Sequence, residues 1–304
     1  MSRVLAILLA CAAAGAVTVT SSAGDHSEAA GATLIAFSDQ QKGLSINLIR
    51  SDGRDLRRLT GSSILASEPA WSPDGKRIAF AGSRDLKSGG YLTTDLFVMN
   101  ADGSGLRRLA KLPGDDHNPD WSPDGQRIAF DNYRVLGPSD VYTIRVDGHG
   151  LRRLTRNPAD DVNPDWSPDG ATIAFGSDRG GVYHVWVMNA DGSGQRQLIR
   201  ERSGQPAWSP EGRRIAYASA RDGDPDIYVA NADGTNERVL TRNALEDWPP
   251  AWSPLGTKIA FQREGKGGYD IWVMNADGSR QRPIVRLPGH QMDPTWQPRP
   301  AAAR

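Results

Sequence analysis

The sequence predicts an all-β fold: a six-bladed β-propeller closed by pairing of its N- and C-terminal strands. Three observations predict it. First, the run Trp71-Ser72-Pro73-Asp74-Gly75-Lys76-Arg77-Ile78-Ala79-Phe80 returns as Trp121 to Phe130, Trp166 to Phe175, Trp208 to Tyr217 and Trp252 to Phe261. A degraded sixth copy starts at Trp296, and the Trp-to-Trp steps are 50, 45, 42, 44 and 44 residues. A period in this range marks an array of supersecondary units. Second, each unit divides into four short strands, and no stretch after the N-terminal leader carries convincing helical periodicity. Third, the ends are offset: the array opens without a first strand and closes with one to spare.

Each element of the unit has a local cause. Strand A runs through the Trp. Ser-Pro-Asp-Gly is then a tight turn, because Pro presets φ, Asp bonds nearby backbone and Gly accepts positive φ. Strand B is the Ile-Ala-Phe run that follows. Strand C is β-branched and aromatic, as in Asp95-Leu96-Phe97-Val98-Met99, Asp226-Ile227-Tyr228-Val229 and Asp270-Ile271-Trp272-Val273. Asn-Ala-Asp-Gly makes the second hairpin turn. Strand D is Arg-Arg-Leu-Thr or a relative, as at Arg152 to Thr155. Strands B, C and D at Leu34 to Thr60 and an A strand near Asp293 to Trp296 complete one blade from both termini, which removes open sheet edges.

The ends of the chain read differently. Arg3 precedes an apolar Val4 to Val19 and then Ser21-Ser22-Ala23, the layout of a secretory signal peptide over 1–23 with cleavage near Ala23. The run is too short and Ala-rich for a transmembrane span. Cys11 is the only cysteine; Leu8-Leu9-Ala10-Cys11 loosely fits a lipoprotein box, but Leu9 is unusual there and the preceding apolar run is very short. Cleavage near Ala23 is therefore preferred to lipid anchoring, leaving a periplasmic or secreted chain without thiols. Residues 24–33 read as a linker, 34–298 as the propeller and 299–304 as a tail. The 304 residues carry 36 basic and 36 acidic side chains. This balance gives neither nucleic acid nor an anionic membrane a strong field to bind.

The Trp-Ser-Pro-Asp-Gly, Ile-Ala-Phe and Asp-Ile-Tyr-Val-Met-Asn-Ala-Asp-Gly runs resemble the WD40-like (PD40) repeats of the TolB family over nearly all of 34–298. That resemblance implies a six-bladed propeller. TolB proper is a periplasmic partner of the peptidoglycan-associated lipoprotein Pal and carries an α/β domain before its propeller. Only about ten residues separate leader from propeller here, so that domain is expected to be missing. The repeats also occur in propellers attached to prolyl-oligopeptidase-type hydrolases, but the chain contains no Gly-x-Ser-x-Gly.

Candidate site residues follow from the topology. The A–B and C–D turns share one face and are nearly invariant; the B–C and D–A loops share the other and vary, which favours that face for binding. Three positions before each Trp stand Glu68, Asn118, Asn163, Gln205, Pro249 and Asp293. If strand A is innermost, these ring the channel mouth, with Asp116, His117, Asp161, Asp247 and Trp248 around them and Trp248 as an exposed anchor. Arg84, Arg134, Arg179 and Arg221 recur after strand B and are expected to bridge the D–A acids. Asp222-x-Asp224-x-Asp226 has calcium-loop spacing but lacks the loop's glycine. His117 and His290 precede A strands and form no ligand pair. No catalytic set, metal or cofactor is read from the sequence.

The function expected is an exported, non-catalytic propeller, a monomer, that binds a protein or peptide, such as an envelope lipoprotein, or a polysaccharide. Two alternatives stand beside it: a hydrolase or lyase with its site at the channel, and a small-ligand or calcium-binding module.

Overall fold

The computed structural model describes residues 33–84, 93–134 and 137–299. The leader, Cys11 and the segment before residue 33 lie outside them. Among the described residues there are six four-stranded antiparallel sheets and no helix. In blade 1 the order is β24 (Gln291–Trp296), β1 (Leu34–Asp39), β2 (Ser45–Arg50) and β3 (Arg57–Arg58). The last strand pairs antiparallel with the first through Ile35–Trp296, Ala36–Thr295, Ser38–Met292 and Asp39–Gln291. The other blades are continuous in sequence. Their innermost strands are β4 (Leu65–Trp71), β8 (Asp115–Trp121), β12 (Asp161–Trp166), β16 (Gly204–Trp208) and β20 (Asp247–Trp252), which begin blades 2 to 6 in that order.

The apolar core lies between blades. Ile46 and Leu48 of blade 1 pack on Ile78, Phe80, Phe97 and Trp71 of blade 2. Ile35, Phe37 and Trp296 of blade 1 pack on Val273 and Ile271 of blade 6. Five repeat tryptophans are at most 8% exposed; Trp208 is half-buried. Outermost strands are shorter than Arg-Arg-Leu-Thr suggests: they span two residues in five blades, as at Arg57–Arg58 and Arg107–Arg108. The cause is visible in the hydrogen bonds. Leu59 and Thr60 both aim their amides at the Ile46 carbonyl (2.8 and 3.4 Å), so the ladder ends there.

Every inner strand bulges at the same place. Register with strand B breaks between Ser67 and Ala70, His117 and Asp120, Val162 and Asp165, Gly204 and Ala207, and Trp248 and Ala251. Each bulge contains an x-Pro pair, and a proline has no ladder donor to lose. The bulge turns the residue before the proline toward the propeller axis.

Candidate functional site

The inner strands surround an axial cavity of about 440 Å³. Glu68, Asn118, Asn163, Gln205, Pro249 and Asp293 all border it, so the structure gathers this sequence-predicted ring. Pro69, Pro119, Pro164, Pro206, Pro250 and Pro294 follow as a collar, then Ala70, Asp120, Asp165, Ala207, Ala251 and Thr295.

The five non-proline ring residues have left-handed φ of 50–55°. That conformation costs roughly 1 kcal/mol or more for a side chain with a Cβ. At four blade junctions the preceding blade offsets it by capturing a backbone N–H. Ser38 Oγ accepts from Glu68 N (2.9 Å), Glu68 Oε2 from Asn118 N (2.7 Å), Asp131 Oδ1 from Asn163 N (2.9 Å) and Gln262 Oε1 from Asp293 N (3.0 Å). Ser38, Asp131 and Gln262 hold one repeat position, immediately after the strand B aromatic. In blade 2 that position is Ala81, and Glu68 takes over. In blade 5 it is Ala218, facing Pro249, which has no N–H to satisfy. In blade 4 it is Gly176, which has no side chain to offer Gln205.

This pattern sets an expectation. Gly176→Ser should raise stability by about 1 kcal/mol, read as a shift in the denaturant midpoint, by giving Gln205 N the acceptor that Ser38 gives Glu68. A Cβ at Gly176 meets nothing nearer than 3.5 Å. An unchanged midpoint would show that no bond is gained.

His117 completes the belt between blades 2 and 3. Its Nδ1 lies 3.1 Å from Glu68 Oε1 and its Nε2 3.2 Å from Thr94 Oγ1. Burial opposes charge on His117, but the Glu68 carboxylate beside it, helped by Asp131 and Asp115, wins and lifts it to about 9. Burial would also raise Glu68, yet the His117 charge and hydrogen bond and the Asn118 amide pull it below its ordinary value. The Thr94–His117–Glu68 chain has the connectivity of a nucleophile–base–acid set. The raised His117 favours an ion pair with Glu68, which clasps blades 2 and 3. Asp131, buried behind the ring, and Asp293 within it are both pushed up to about 7, first by desolvation.

Four predicted site residues do not join the ring. Asp116, Asp161 and Asp247 are at most 1% exposed and turn into the blades. Asp116 accepts from Leu96 N (3.2 Å) and Asn132 Nδ2 (2.8 Å). In blades 1, 3 and 5 a strand D threonine does this work: Thr60, Thr155 and Thr241 accept from Ile46, Val141 and Ile227 N. Blade 2 has Ala110 there, and Asp116 substitutes. Asp161 binds Arg179 and Asn157; Asp247 binds Arg263 through both oxygens (2.6 and 2.8 Å) and Asn243. Trp248 is half-buried and packs on the cluster containing Ala218 and Ile227 of blade 5, its Nε1 3.4 Å from Glu246. It is a packing residue in this geometry, because Ala218 leaves room for it.

The four arginines after strand B also depart from expectation. Of these four, only Arg179 pairs with a D–A acid among the described residues. Arg134 pairs with Asp140 of strand C and Arg221 with Glu237. Arg84, Arg179 and Arg221 lie over Phe97, Trp186 and Tyr228 at 5.4, 4.6 and 4.3 Å, a cation–π arrangement away from the channel. Asp222 accepts from the Tyr228 hydroxyl and Asp226 from Thr241, so these two carboxylates serve different partners. His290 lies against Tyr269, away from the partners of His117. Sequence reasoning missed Ser38, Asp131 and Gln262, and also Asp120 and Asp165. The available signal was variation at two fixed repeat positions, after the strand B aromatic and before the Trp.

Comparison with known proteins now has geometry to attach to. The family model of the TolB beta propeller domain, PD40, matches residues 132–299, more than half of the chain. The chain belongs to the TolB beta propeller (PD40) family. A 49-residue stretch of this PD40 chain is 47% identical to the Tol-Pal system protein TolB of Syntrophus aciditrophicus (strain SB). That stretch is 16% of this chain and 10% of the relative's length. Among solved structures, TolB from Acinetobacter baumannii superposes with a TM-score of 0.78 at 20% identity, covering 88% of this chain and 67% of that one. The putative TolB from Agrobacterium tumefaciens gives 0.67 at 23% identity, covering 84% and 88%. At such identities the two structures speak for the PD40 fold alone.

Proposed function

We propose that this PD40 propeller is exported, remains non-catalytic and binds a protein or peptide partner of the cell envelope at its loop-side channel mouth. One observation carries the reading. Five left-handed residues from five blades turn toward a common axis, and the Gln205 Oε1 among them is buried without a hydrogen-bond partner. The belt that fixes four of these backbones draws on acceptors from preceding blades, which is how a rigid scaffold presents a preorganised polar ring. Membership of a family whose curated relative is a Tol-Pal system protein supports an envelope partner. The clasp of protonated His117 supports binding over turnover.

Cys11 is the sole cysteine, and on this reading cleavage near Ala23 takes it away, which the test exploits. Mass spectrometry of the exported chain should first find an N-terminus near residue 24. Gln205→Cys then carries the only thiol, and a photo-crosslinker on it should capture one dominant envelope partner, whereas Ser104→Cys on the turn face should not. Adding Asn163→Gly, which keeps the left-handed backbone without a Cβ, should weaken that capture with little change in melting temperature. Equal capture from both faces, or a partner lost only in proportion to stability, would overturn the proposed site.

A further inference from the structure

Below the mouth the axial cavity is lopsided. The residue before the repeat Trp is Ala70, Ala207 or Ala251 in blades 2, 5 and 6, Thr295 in blade 1, and Asp120 or Asp165 in blades 3 and 4; all six border the cavity. Two carboxylates in adjacent blades therefore face short side chains, Ala251 and Thr295, across the axis. On that far side the wall continues through Trp252, Pro254, Trp296 and Pro298. Space and apolar surface lie on one side of the shaft and negative charge on the other.

Each aspartate spends one oxygen on structure. Asp120 Oδ2 accepts from the Trp166 backbone N–H and Asp165 Oδ2 from the Trp208 backbone N–H, each at 2.7 Å. An asparagine oxygen would accept those bonds without a charge. Both carboxyls stay partly exposed to the cavity, and among the described residues no cation pairs with either. The other charged groups around the shaft are committed or distant: Glu68 holds His117, Asp293 holds Ser38 Oγ, Asp131 lies behind Asn118 and Asn163, and Arg299 is exposed at the turn-side end. One level up in blade 5, Gln205 Oε1 is buried without a hydrogen-bond partner, a further open acceptor.

We propose that the shaft receives the end of a lysine or arginine side chain of the partner, its aliphatic stem along the alanine, proline and tryptophan wall and its charge between Asp120 and Asp165. The assignment rests on the channel mouth being the binding face. A cavity of about 440 Å³ has room for such a side chain, and long cationic residues bury their stems while the charged head finds a polar partner. Among the described residues no three metal-ligating side chains gather, which favours an organic cation over a metal ion. Burial without a counter-ion lifts Asp120 to about 7, and burial with the Asp120 charge lifts Asp165, against the pull of their amide partners. A bound cation supplies the missing charge and draws both down again. Binding then releases protons, so it tightens as pH rises.

Blocked Gly-Gly-Xaa-Gly-Gly peptides test this on the mature chain, with Xaa lysine, arginine, norleucine or glutamate. The backbone amide NMR signals of Trp166 and Trp208, which touch the two carboxyls, are the readout. The lysine or the arginine peptide should shift them saturably, more tightly at pH 8 than at pH 6. Norleucine, with a stem and no charge, should bind about tenfold more weakly, and glutamate should not bind. Asp120→Asn and Asp165→Asn should each weaken the cationic peptide by about tenfold. Ala251→Leu should block it by filling the stem side, which keeps the test open if an aspartate variant folds poorly. Equal binding of norleucine and lysine, affinity unmoved by both Asn variants, or shifts produced by calcium chloride and not by either cationic peptide would overturn the proposal. Capture at Gln205→Cys leaves both aspartates in place, so capture without cationic-peptide binding would sink the shaft and spare the mouth.

Discussion

Removing residues 289–304 is expected to abolish cooperative folding. The deletion takes away β24 and leaves β1 as an open edge with Ile35 and Phe37 uncovered, both fully buried in the intact ring. It also removes Trp296, which is 7% exposed, packs in the cluster shared by blades 1 and 6, and donates its indole N–H to Ala251. Truncating a buried Trp to Ala alone costs about 3–5 kcal/mol. Losing the strand and its hydrogen bonds as well exceeds the roughly 5–15 kcal/mol that holds a typical domain together. Circular dichroism melting should show no cooperative transition for the deletion and a lowered one for Trp296→Ala. A truncated chain that melts like the parent would refute closure as the source of stability.

The second large effect is expected at Glu68. Glu68→Ala removes the acceptor for Asn118 N and the counter-ion of His117 in one step. Stripping one partner from a mostly buried pair leaves the other's desolvation uncompensated, which we place at roughly 2 kcal/mol because both side chains keep some solvent contact. The histidine reports the change directly. With Glu68 present its titration lies near 9; without it, burial should draw the value down toward or below the ordinary 6.5. NMR titration of the His117 ring checks this, and a value still near 9 would show that Asp131 and Asp115 suffice. The linkage has a definite sign. His117 contributes stability fully below about 6.5, and that contribution disappears as pH rises through about 9.

Much of the architecture was legible because it is repeated. Trp, Ser-Pro-Asp-Gly and Ile-Ala-Phe recur in register, and the offset of Trp296 from Leu34 is enough to close the ring. The mouth positions were legible for the same reason, since a fixed offset from Trp becomes a circle once six blades surround one axis. What failed were inferences from residue chemistry in single loops. Asp116 was expected around the channel mouth, yet it replaces a hydroxyl that Ala110 lacks. Trp248 looked like an anchor, yet it fills the space above Ala218. Both depend on what the neighbouring strand happens to omit. Asp120 and Asp165 were hidden differently: their meaning lies in the backbone amide of the following blade, a pairing some 45 residues away that no local pattern announces.

The pairing of β24 with β1 also fixes the order in which this molecule is able to fold. Ser38 and Asp293, hydrogen-bonded at the closure, are 255 residues apart in sequence. Bringing such distant segments together carries a length-dependent entropy cost of about 5 kcal/mol, recovered only after contact is made. Blades 2 to 6 assemble from strands that are neighbours in sequence, but blade 1 has no inner strand until Trp296 exists. Local assembly followed by one long-range docking event is the expected order, with the docking expected to set the pace. A chain synthesised in order has β1, β2 and β3 complete well before β24 exists. A circular permutant that begins at β24 and runs directly into β1 turns that distant event into another hairpin, moving the long-range closure to a seam between two complete blades.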